Sequence, residues 1–241
     1  MKHAPFNESA EMYLKTVSEL SLAGGMAPTS AVARRLAVSP VSATEMIHRL
    51  EEQGLVAHVP YRGTTLTADG ARMARAIERC HRLWECLLFS HLGLAWEAVH
   101  ELACRLEHAT DPTVVDALDA YLGFPSTCPH GNTIDRAGTD AEAAEAPLLL
   151  PLASLAVGES ATIRAIRPES SLLLKHLVQQ GLQPGRVVTV LEVAPFDGPL
   201  LLALGGNPTP AHPAPEQRAV GQEVAAHLFV EHYLEAGEGA S

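Results

Sequence analysis

"TSAVARRLAVSPVSATEMIHRLEEQGLVAHVPYRGTTLTADG", residues 29 to 70, carries two short helices, a tight turn and a ribbon in 42 residues. Thr29 or Ser30 opens the first helix, and "AVS" turns the chain. Ser39 starts the second helix, with Pro40 in its first turn, where a missing N–H costs nothing, and Gly54 ends it. "LVAHVPYRGTTLTADG" then reads as strand, turn at Arg62 and Gly63, and strand. That order is a winged helix-turn-helix. The second helix offers Ser39, Ser42, Thr44, Glu45 and Arg49, and with Thr29 and Arg62 these small polar groups can lie against phosphates and base edges in a major groove. The bland alternative is a small helical domain whose charges are merely solvated.

Upstream, "ESAEMYLKTVSELSL" (8 to 22) has apolar residues at Met12, Leu14, Val17, Leu20 and Leu22 with Ser9 as a cap, and "GGMAP" stops it. Downstream, helical patterns cover 67 to 92, 95 to 108 and "DPTVVDALDAYLG" up to Gly123. "FPSTCPHGNTI" is a Pro/Gly-rich turn; its Cys128 and His130 are two donors, too few for a closed metal site, and are read as structural. Residues 135 to 147 lack an apolar period and read as a linker. Beyond it short β-type runs, with one helical piece at "SSLLLKHLVQQG", suit a small barrel. The expected chain is mainly α with a small β domain: a DNA-binding domain over 1–73, a helical dimerisation and metal-binding domain over 74–140, and an SH3-like β-barrel over 148–235.

Net charge is −11, but residues 1 to 80 carry nine Lys+Arg against eight Asp+Glu, so the acidity lies in the remainder. A near-neutral first module leaves room for a basic face. Four cysteines without disulfide-framework spacing are expected to be reduced, buried or metal-bound. No apolar run suits a membrane span or a signal peptide, so a cytoplasmic protein without a membrane partner is expected. The surplus apolar surface of the helical module points to a homodimer.

"HELACRLEH", residues 100 to 108, sets His100, Cys104, Glu107 and His108 on one uninterrupted helical stretch. Spacings of three and four make Cys104, Glu107 and His108 converge, and on the preceding helix His81 and Glu85 share a face. Taken alone the cluster is equally an amphipathic helix with polar residues in solvent and Cys104 buried.

The order of modules, with "EMYL", "HRLWECLL", "VHELACRLEH" and "CPHGN", resembles the diphtheria toxin repressor family of metal-dependent transcriptional repressors, over nearly the whole chain. The resemblance implies a principal metal site at Met12, Cys104, Glu107 and His108, and an ancillary site at His81, Glu85 and His100. Glu169 lies near a position from which long family members add a barrel ligand, whereas the Gln expected three residues on reads Leu. It further implies a divalent-metal-activated dimer on palindromic double-stranded operator DNA, controlling metal-uptake genes. Soft Cys and Met donors lean to Fe²⁺ over Mn²⁺, with Co²⁺, Ni²⁺ and Zn²⁺ able to substitute. Two other readings stand beside this one: a zinc metalloenzyme built on Cys104, Glu107 and His108, and a winged-helix regulator sensing a small molecule. No catalytic constellation beyond those three residues supports an enzyme.

Overall fold

The computed structural model describes residues 8–21, 25–136, 148–205 and 216–232. Most of the expected linker, 137–147, and Leu22 and Gly24 of the first helix's end lie outside the described residues. The chain forms two compact units, one holding the chain through Trp84, Leu102–Pro125 and the segment from Ile134, the other holding Glu85–Glu101, Ser126–Thr133 and the C-terminal sheet.

In the first unit α1 (Glu8–Ser21), α2 (Thr29–Arg35) and α3 (Pro40–Glu52) precede a ribbon of β1 (Val56–Val59) and β2 (Gly63–Leu66). Ala10, Leu14 and Val17 project from one face of α1 into a core with Val32, Ala43, Ile47, Leu50 and Val56. Ser39 caps α3 by accepting the Ser42 N–H, Pro40 occupies the first turn, and Ala37, at φ 53°, makes the turn between the two helices. Pro28, which cannot bond through its side chain, precedes α2, so the expected Thr29 or Ser30 cap is replaced by an uncapped start. The wing pairs antiparallel from Val56↔Leu66 to Val59↔Gly63. Gly63 sits at φ +125° with the Ala27 carbonyl oxygen 2.6 Å from where a Cβ would be, so any side chain there would collide with backbone.

Helix α4 (Ala68–Cys86) belongs to this unit through Trp84; α5 (Val99–Glu107) does so from Leu102, and α6 (Pro112–Tyr121) wholly. Asp111 caps α6 through the Thr113 N–H. On α6 Asp119 is buried, receiving Arg79 at 2.8 Å and Arg136 at 2.7 and 2.8 Å. Hydrogen bonding from Arg136, set against burial, holds its carboxyl below the usual aspartate range, with Arg79 adding to the shift. Asp119→Asn is therefore expected to cost about 2 kcal/mol at neutral pH, because two guanidiniums lose a charged acceptor. The wild-type advantage is present above the unfolded pKa of about 3.9 and fades as pH falls through the lower folded value. Urea unfolding of both proteins at pH 7 and pH 3 measures it.

In the second unit α4 ends in a π-helical turn, Leu87–His91, where the sequence pattern runs on as a plain helix. The C-terminal sheet is six-stranded and antiparallel in the order β3-β8-β4-β5-β6-β7, with β3 Leu149–Pro151, β4 Ser160–Ile166, β5 Val187–Val193, β6 Leu200–Leu204, β7 Glu216–Val220 and β8 Leu228–His232. This small SH3-like sheet, with α7 (Ser171–Gln180) and α8 (Gln222–Ala226), encloses a core of Ile163, Ile166, Leu174, Leu177, Val188, Val190, Leu202 and Val230. Ser170 caps α7, and Gly181 in the left-handed region ends it. Trp96 joins the same core and donates Nε1–H to the Pro129 carbonyl at 2.9 Å. That contact pins the "TCPHGNT" loop. Ile166 N–H donates to the His130 carbonyl at 3.1 Å, and a Cβ on Gly131 would lie 1.7 Å from the Arg164 carbonyl oxygen, so only glycine lets the loop press onto β4.

Candidate metal centre

Within the first unit α1, α4 and α5 meet at a buried polar cluster. Glu11 and Lys15, four apart on α1, share the face beside Met12, which is half-buried. Glu107 is the centre of the cluster. Its carboxylate receives Lys15 Nζ at 3.1 and 3.0 Å and lies 2.5 Å from His81 Nδ1, with its side chain fully buried. Burial opposes ionisation of Glu107, but the His81 hydrogen bond and the Lys15 charge outweigh it and hold the carboxyl below the usual glutamate range.

His108 is arranged differently. Its Nδ1 lies 2.5 Å from Glu11 Oε2, while Nε2 is buried, makes no hydrogen bond and lies 3.3 Å from Glu107 Oε1. A carboxylate that fixes one ring nitrogen and leaves the other bare beside a second carboxylate is the arrangement that orients an imidazole toward a metal ion. The residues fit a divalent cation on that observation. Cys104 lies close to Lys15. Among the described residues, however, Cys104, Glu107 and His108 do not form a set of donors all within 4.8 Å of one another.

A second cluster lies wholly in the other unit, where donor atoms of Glu85, Cys128, His130 and Glu169 are within 4.8 Å of one another. Glu85 comes from the last turn of α4, Cys128 and His130 from the pinned loop, and Glu169 from the segment before α7. His130 Nε2 is 3.0 Å from the Trp96 carbonyl, an acceptor, which requires the proton on that nitrogen. Nδ1 therefore faces Glu85 at 3.0 Å and Glu169 at 3.1 Å, and two carboxylates there call for a cation, either a proton or a metal. Burial would lower the His130 pKa, but the Glu85 charge and hydrogen bonds from its neighbours drive it well above the ordinary histidine value. Burial and the Glu85 charge push the Cys128 thiol up to about 12, so an ion bound here must displace a proton from sulfur. His100 Nδ1 adds a contact at 2.9 Å to Glu169.

The structure thus places Glu85, His100 and Glu169 in one cluster, and His81 Nδ1 lies 2.5 Å from Glu107 in the first unit. Cys128 and His130 are the residues that the sequence reading set aside. The signal was present as a Cys-x-His pair, but its completing carboxylates lie 43 residues before and 39 after. Of the proposed DNA-facing residues, Ser39, Ser42, Thr44, Glu45, Arg49 and Arg62 are exposed and Thr29 is half-buried.

Residues 5–64 match the family model "Iron dependent repressor, N-terminal DNA binding domain", 67–136 "Iron dependent repressor, metal binding and dimerisation domain", and 150–232 "FeoA domain". The diphtheria toxin repressor of Corynebacterium diphtheriae is 36% identical over 127 residues, 53% of this chain and 56% of its own. The iron-dependent repressor IdeR of Mycobacterium leprae is 35% identical over 208 residues, 82% of this chain and 90% of its own. The chain belongs to the diphtheria toxin repressor family. As a metal-dependent transcriptional repressor it has solved relatives too: a manganese-dependent transcriptional repressor in complex with manganese superposes with a TM-score of 0.79 at 31% identity, over 93% of this chain and 100% of its own. ScaR with bound Cd²⁺ superposes with a TM-score of 0.78 at 29% identity, covering 93% and 99% of the two chains. The repressor has no helix among its described residues long and apolar enough to cross a membrane.

Proposed function

We propose that this repressor is a homodimer that binds a palindromic operator when loaded with Fe²⁺ or Mn²⁺ and so shuts off metal-uptake genes in the cytoplasm. The carrying observation is α1. One face interlocks with α3 through Leu14 and Val17 packed among Ile47 and Leu50, and the other reaches α5 through Glu11 on His108 and Lys15 on Glu107. An ion at α5 is therefore one helix away from the recognition helix, all within one compact unit.

The principal ion is assigned to Met12, Cys104, Glu107 and His108, with Glu11 orienting His108. The second ion is assigned to Glu85, Cys128, His130 and Glu169, with His100 beside them, which adds the loop residues to the set expected from the sequence. When bound, the metal supplies positive charge and fixed coordination geometry. The chain's own residues hold the donors and exclude water. One cysteine and one histidine in each set favour Fe²⁺, while the carboxylates admit Mn²⁺.

The test is operator binding by the purified protein across Fe²⁺, Mn²⁺, Zn²⁺ and Co²⁺ at matched free concentrations, then with chelator. Binding indifferent to metal overturns the proposal, and hydrolysis of a substrate by the Zn²⁺ form would favour the enzyme reading. Arg49→Ala is expected to weaken operator affinity about tenfold with the fold unchanged, since Arg49 is exposed on α3 and reaches phosphate or base edges. Ser39→Ala should do so with a loss of about 1 kcal/mol in stability, because its hydroxyl caps α3. Fluorescence anisotropy and thermal melts separate the two; wild-type affinity in both variants would remove α3 from the interface.

A further inference from the structure

Lysine is seldom buried unless paired, yet Lys15 is only 8% exposed. Its Nζ lies 3.1 and 3.0 Å from the two oxygens of Glu107 and 3.2 Å from His81 Nδ1. An ammonium so held is a tethered monovalent cation on the carboxylate that the principal site needs for a divalent one. The two Glu107 oxygens supply the counter-charge that a buried ammonium needs. Met12 precedes it by three residues on the same helix face, so the competing ammonium and the proposed thioether ligand arrive from one element.

We infer that Lys15 sets the affinity of the principal site: its ammonium competes with the divalent ion for Glu107, so the repressor responds at a higher free-metal level than its donors alone would give. The inference rests on the assignment of Glu107 and His108 as ligands. Two cations within a few ångströms of one buried carboxylate repel each other with little screening. Metal entry then requires Nζ to leave Glu107, and the affinity is reduced by whatever that pair is worth. Glu107 gains a fully available carboxylate when Lys15 is gone, and His81 remains to orient it.

The experiment is Mn²⁺ binding to the full-length protein by equilibrium dialysis, with Co²⁺ absorption as a second probe, in the wild type, K15Q, K15M, K15R and H108A. K15Q and K15M are expected to bind the principal ion at least tenfold more tightly at unchanged stoichiometry, while K15R, which keeps the charge, does not. Equal or weaker affinity in either folded neutral variant overturns the inference. The wild type gives an independent reading that needs no variant. A protected lysine ammonium resonance in chelated protein should vanish on saturation with Zn²⁺, and its persistence at saturation also overturns the inference. H108A separates the two levels. If it binds as many ions as the wild type, the principal-site assignment fails. If it binds one fewer per subunit and K15Q is no tighter, the competition fails alone.

Discussion

His130→Ala is expected to remove one metal ion per subunit and to destabilise the metal-free repressor by about 3 kcal/mol or more, the cost of leaving a buried ion cluster without its cation. The imidazole is fully buried, with Glu85 and Glu169 on Nδ1 and the Trp96 carbonyl on Nε2. Its deletion leaves two carboxylates facing each other. The pH dependence gives the sign. In metal-free wild type the His130 pKa is raised, so its contribution is complete below about 6.5, the unfolded value, and is lost as pH rises through the folded one. His130→Ala should flatten that part of the stability curve. Metal affinity runs the other way: an ion must displace protons from His130 and Cys128, so wild-type binding strengthens as pH rises. Calorimetric melts with chelator from pH 5 to 9, beside dialysis for stoichiometry, test both. An unchanged ion count in the variant would remove the loop from the site.

Glu107→Gln should abolish metal-dependent operator binding, a loss of at least a hundredfold in affinity at saturating Mn²⁺, while the dimer persists. Glu107 joins α1 to α5 through Lys15 and lies against both His81 and His108. The amide keeps the volume but removes the charge that a divalent ion and Lys15 both need. A buried ammonium without its counter-charge costs about 3 kcal/mol, so the melting temperature should also fall at neutral pH. Because the Glu107 carboxyl is held below its usual range, that difference from wild type is full above about 4.3, the unfolded value, and shrinks as pH falls through the folded one. Operator titrations at several Mn²⁺ levels decide the matter. Retained metal-dependent repression would mean that the ion reaches the recognition helix by another route.

Local rules carried most of the architecture. Ser39 with Pro40, Gly54 and Gly181 mark helix ends that the structure reproduces because caps and left-handed stops act within a few residues. Other features answer to partners remote in sequence. The strand Glu216–Val220 is a short, charged edge strand, the kind of edge that carries no alternating apolar signal. The π-turn at Leu87–His91 interrupts an apolar pattern that is continuous in the sequence. Cys128 and His130 are made a cluster by Glu85 and Glu169, each about forty residues away. Lys15 gave no sign at all, since a lysine four after Glu11 reads as a solvated pair on a helix surface.

Helix α1 is gripped on two sides, by aliphatic side chains toward α3 and by ionic ones toward α5. A rod held that way cannot unwind at one end without breaking the other set of contacts. It moves as a solid piece or stays put, because close-packed interiors switch between discrete arrangements. Under the proposed coupling, the message passed to DNA is a displacement of unchanged shape. Little apolar surface changes its exposure, so the response has a small heat-capacity change and a sharp dependence on where the helix rests.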